Sequence, residues 1–66
     1  VNLWRLTWSH ALGVYWMHMR RCDGAAAESW LDLFRQDEPG ALYVLSDKAP
    51  SLVGVDPDLA RHPATL

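Results

Sequence analysis

The sequence predicts an all-α fold: a small helical hairpin, then a short third helix and an extended C-terminal tail. Three observations point there. Apolar residues recur at helical spacing through residues 3–21, an alanine run opens a second periodic stretch, and two turn-forming clusters punctuate the chain. At 66 residues, positions 1–66 form a single small helical domain or a subunit fragment.

The first element is the stretch LWRLTWSHALGVYWMHM, read as a helix from about Leu3 to Arg21 with Asn2 as its N-cap. Projected at helical pitch, Trp4, Trp8, Ala11, Leu12, Tyr15, Met19 and Cys22 share one narrow stripe. A second, looser apolar stripe holds Leu3, Leu6, Val14 and Met17, interrupted by His10 and Arg21. Trp16 leans toward the polar strip of Asn2, Ser9, Gly13 and Arg20. One apolar stripe serves a helix packed on its own core, whereas two imply contacts on two sides.

Asp23-Gly24 ends that element, and Asp23 is a candidate N-cap for a second helix over about 25–36. Alanines 25–27 are strong helix formers, and Ala26, Ala27, Trp30, Leu33 and Phe34 share a face. After Asp37-Glu38-Pro39-Gly40, the run ALYVLS suits a short third helix with Pro39 in its first turn. The alternative is an α+β fold with a short hairpin at 42–55, pairing Leu42–Ser46 with Ser51–Val55. Such an isolated hairpin is only marginally stable, which favours the helix. Asp56-Pro57 caps one helical turn through Arg61, and His62–Leu66 reads as an extended tail that needs a partner to be ordered.

Composition limits the function classes. Half of the residues (50%) are hydrophobic, too many for a disordered chain of net charge −2. A domain of this size buries only about 60% of its unfolded surface, so it needs a staple or a partner. The single cysteine excludes an internal disulfide, leaving a partner surface as the source of added stability. Charge is split: residues 1–22 carry three arginines and no acid (+3), while 23–66 carry eight acids against three bases (−5). That pattern suits either an anionic partner or one half folding onto the other. The opening segment lacks the layout of a secretory signal, and Arg5, Ser9, His10 and His18 interrupt the run of about 20 apolar residues that a membrane helix needs. The expected setting is intracellular, or within an assembled particle or complex.

Candidate chemistry is sparse. On a helix, His18 and Cys22 would be neighbours that could hold a metal or create a reactive thiolate, yet both uses need further groups. The carboxylates are scattered, and Asp23, Asp37, Asp47 and Asp56 have local reasons to be caps or turn residues. No catalytic residue, metal or cofactor is expected, and three arginines against an acidic remainder make nucleic acid a poor fit. The tryptophans carry the strongest signal, because tryptophan concentrates at interface hot spots. Trp4, Trp8 and Trp30 are expected in the hairpin core, and Trp16 at an interface.

These readings make the chain a non-catalytic accessory or structural subunit of a multi-subunit complex. It would dock an aromatic-rich helix onto partner proteins through Leu3, Leu6, Val14, Trp16, Met17, Arg20 and Arg21. Two alternatives stand beside it: a peripheral membrane subunit with an interfacial amphipathic helix, and a metal or redox site at His18/Cys22.

Overall fold

The computed structural model describes residues 1–61, and in it the opening segment is a β-hairpin. The order is β1 (Asn2–Ser9), β2 (Gly13–Arg21), α1 (Ala27–Asp37), β3 (Tyr43–Ser46) and α2 (Asp58–Arg61). The three strands form one antiparallel sheet in the order β2-β1-β3. The all-α expectation is therefore overturned. The helical hairpin does not exist, and α1 is the one helix longer than a single turn among the described residues.

The physical reason lies in β1. Leu3 and Leu6 are both fully buried, and three residues apart on a strand they point to opposite faces. A strand covered on both sides loses its polar/apolar alternation and can mimic a helical stripe. Tryptophan, tyrosine, threonine and valine all suit a pleated, half-buried surface. Ser9 pairs with Gly13 across a three-residue connection, where Ser9 Oγ accepts the Leu12 N–H at 3.0 Å. Gly13 sits at φ +69°, the left-handed conformation such a connection requires and other residues resist. Asn2 is no N-cap; it lies in the ladder between Arg21 and Ser46.

The second helix is real, but Asp23 does not cap it. Ala26 holds the cap position with no side-chain hydrogen bond, while the Asp23 carbonyl accepts the Ala26 N–H at 2.9 Å. The run read as a third helix is β3, with Leu3 opposite Leu45 and Arg5 opposite Tyr43. The 42–55 hairpin is also corrected, since residues 51–55 form no strand and β3 pairs with β1 instead. Pairing with an existing strand gives β3 a third-strand position and buries Tyr43, which an isolated hairpin could not do. The turn at 56–61 forms as read, with Asp56 Oδ1 accepting the Asp58 N–H at 2.9 Å. The tail expected at 62–66 lies outside the described residues.

The core sits between α1 and one face of the sheet. Leu3, Cys22, Ala27, Leu31 and Tyr43 are buried together, with Met19, Trp30, Phe34, Ala41 and Leu45 packed around them. Phe34 links Trp30 and Tyr43 through tilted ring contacts at 6.5 and 5.9 Å. Cys22 thus behaves as a small buried hydrophobe. The expected tryptophan trio is split: Trp30 borders this core, while Trp4 and Trp8 stand on the other face of β1.

Candidate interaction surface

Even-numbered positions of the hairpin from Trp4 to His18 build the face away from α1. Cross-strand pairs place Leu6 opposite Trp16, Trp4 opposite His18 and Trp8 opposite Val14. Trp16 thus faces Leu6 directly, with Trp4 and Trp8 at its diagonals, within reach of large side chains. Three of the four tryptophans share one sheet face, all of them half-buried.

Polar ends of these rings are anchored locally. The Trp4 indole N–H donates to Ser46 O at 3.0 Å, and the His18 ring stands edge-on to Trp4 with centroids 5.1 Å apart. His18 Nε2 lies 2.9 Å from Asn2 Oδ1. At the hairpin tip Trp8 meets His10 edge-on at 4.6 Å. After β3 the chain crosses toward β2, where the Trp16 indole N–H donates to Ser51 O at 3.4 Å. It then returns to lay α2 against β1. Apolar side chains remain exposed along these segments: Leu12 at the tip, Leu42 before β3, Leu52 and Val53 in the crossing loop, and Leu59 in α2.

The outer edge of β2 is unpaired among the described residues. The Leu6 N–H donates to Leu42 O at 2.9 Å, so the backbone polar groups of Leu6 point toward β3. In an antiparallel ladder, successive residues alternate between the two neighbours. Leu6–Trp16 is then a non-hydrogen-bonded pair, and Trp16 turns its own N–H and C=O outward. By the same alternation Val14 and His18 do likewise, while Tyr15 and Met17 bond to Thr7 and Arg5. No strand pairs with that outer edge among the described residues. It runs nine residues and contains neither proline nor lysine; a register irregularity near Met19 is its one interruption. β3, the opposite edge, is four residues long and is followed by Asp47-Lys48 and Pro50, the features that usually blunt an edge.

The residues read from sequence as partner-binding fall into three groups. Leu3 and Leu6 are fully buried within the chain. Val14, Trp16 and Met17 lie together on β2, Val14 and Trp16 on the tryptophan face and Met17 on the other. Arg20 places its guanidinium 3.5 Å from the Trp30 ring centroid, a cation–π contact, whereas Arg21 is exposed. Sequence reasoning missed Trp4, Trp8, His18 and Leu42 as members of one surface. Their signal was present as alternation, W-x-L-x-W at 4–8 and V-x-W-x-H at 14–18.

The charge split is resolved in part inside the molecule. Arg5 of β1 pairs with Glu38 beyond the end of α1, beside Tyr43. Burial pushes the Tyr43 phenol above its ordinary range, and the Glu38 carboxylate adds to the shift. His18 and Cys22 are not brought together: His18 stands exposed beside Trp4, while Cys22 is buried beneath α1. Among the described residues, no three histidine, cysteine or acidic groups are arranged to hold a metal, and no pocket opens. No helix there is long and apolar enough to cross a membrane. Compared with protein-family models, curated proteins and solved structures, the chain matched none of them.

Proposed function

We propose that this chain is a small, non-catalytic interaction subunit that docks onto partner protein through the outer edge of β2 and the adjoining tryptophan face. One observation carries the reading. Among the described residues, a nine-residue edge strand leaves outward backbone groups unpaired beside three half-buried tryptophans. Edge strands of this kind are templates for strand addition, in which main-chain hydrogen bonds supply affinity and side-chain contacts supply selectivity. Trp16 is the expected anchor, since it lies between Trp4 and Trp8 and next to the open edge.

Photo-crosslinking from single positions in producing cells tests this reading. A photoreactive side chain at position 14 or 16 should capture protein, while the same group at Leu33, exposed on α1, should not. Crosslinks from Leu33 alone would contradict the proposal. Sedimentation with anionic vesicles that disappears in Trp16→Ala would move the target from protein to a membrane surface.

A further inference from the structure

We propose that the partner taken by the open β2 edge is a second copy of this chain, paired antiparallel with Trp16 facing Trp16 of the other copy. The inference rests on the docking reading above and names its occupant. In the regular stretch of β2, before the irregularity near Met19, the outward backbone groups belong to Val14, Trp16 and His18, and this triplet is symmetric about Trp16. A twofold axis through Trp16 pairs it with its own equivalent and each Val14 with the other copy's His18. That register satisfies all six outward groups, while a shift along the edge leaves some unpaired.

Charge selects the same orientation. Arg20 and Arg21 close the C-terminal end of β2, and the strand contains no acid. A parallel pair would stack these cations on their equivalents at about 4.8 Å, the spacing of neighbouring strands. The antiparallel register sets each pair beside the other copy's hairpin tip, so the two clusters stand more than about 20 Å apart. Shape agrees as well. The axis runs perpendicular to the sheet, so both α1 helices lie on one side and the six tryptophans of Trp4, Trp8 and Trp16 form one surface on the other. The product is a continuous six-stranded sheet, β3-β1-β2 joined to its equivalent, within the usual size of open sheets. Its remaining edges are the short β3 strands, so growth stops at two copies.

Sedimentation equilibrium of the 66-residue chain, combined with amide hydrogen exchange, tests the pairing. A strand pair of this length buries less than a standard interface, so dissociation in the micromolar range is expected, on the order of 10–100 µM. The mass should rise to that of a dimer and no further. The amides of Val14, Trp16 and His18 should become protected as it rises, while Tyr15 and Met17 stay protected throughout. Trp16→Lys puts two cationic side chains on Cα atoms about 5.5 Å apart at the axis, removes the facing indoles, and should weaken dimerisation at least tenfold. Protection at Tyr15 and Met17 reports whether that variant folds; if it does not, Val14→Lys, also on the edge, serves instead. A monomer up to about 1 mM overturns self-pairing, and so does a dimer that leaves the edge amides unprotected. If the chain stays monomeric while position 16 crosslinks to another protein, self-pairing falls and the docking reading stands.

Discussion

The two faces of β1 begin from the same eight residues and close in different ways. On one, Leu3 lies beneath α1 with Cys22, Ala27, Leu31 and Tyr43, all buried and in mutual contact. On the other, Leu6 is equally buried but stands outside that cluster, among tryptophans that are only partly buried. A helix with regular hydrogen bonds is a rigid cover. The segment after β3 and the single-turn α2 are held by few backbone hydrogen bonds, the kind of cover that opens at lower cost. In the proposed reading the two faces divide two tasks: the helix face holds the fold, and the tryptophan face adjoins the edge offered to a partner.

Truncation at matched positions is the strongest way to break this comparison. Leu3→Ala empties the centre of the rigid face and should cost about 3 kcal/mol or more, enough to unfold most of so small a domain. Leu6→Ala removes the same group beneath the irregular segment and single-turn α2, a cover with fewer backbone hydrogen bonds to resist collapse, and should cost about 2 kcal/mol. Urea titration followed by circular dichroism measures both. Equal losses would mean that the two covers are equally rigid.

Smaller effects sharpen the picture. Gly13→Ala meets no atom within 4 Å, so its cost is the left-handed backbone alone, about 1 kcal/mol in the same titration. A loss near zero would show that the hairpin connection tolerates another conformation. Tyr43 gives the smallest effect. Its folded phenol holds its proton above the ordinary value of 10.0, so the stability it contributes is complete below that pH and fades as pH rises past it. Thermal midpoints followed from neutral pH to beyond pH 10 should be flat and then fall, with a shallower fall in Tyr43→Phe. An equal fall in both would assign the alkaline loss elsewhere.

Parts of this molecule were legible in the sequence, and the reasons are local. The alanine run and helical periodicity identify α1, although Leu31 takes the buried place expected of Leu33, and Asp56-Pro57 identifies the final turn, because short-range propensity decides both. The opening hairpin was misread because Trp4, Trp8, Ala11, Leu12, Tyr15 and Met19 satisfy a helical stripe by coincidence. Leu3 and Leu6, buried on opposite faces, mask the alternation that marks a strand. Gly13 held the missing clue, since a glycine between two aromatic runs suits a hairpin better than a helix interior. β3 depends on a partner forty residues earlier in the chain, a contact that no local pattern encodes. Trp4 and Trp8, expected with Trp30 in one core, share a sheet face with Trp16 instead, because strand alternation and not helical pitch sets their direction.

Amide hydrogen exchange along β2, at a concentration low enough to keep the chain monomeric, tests the central claim most directly. The open edge predicts alternation: amides of Tyr15 and Met17 are protected by Thr7 and Arg5, while those of Val14, Trp16 and His18 exchange freely. Continuous protection from 14 to 18 would contradict the account, because it would mean that the segment is helical or that its outer edge is already covered.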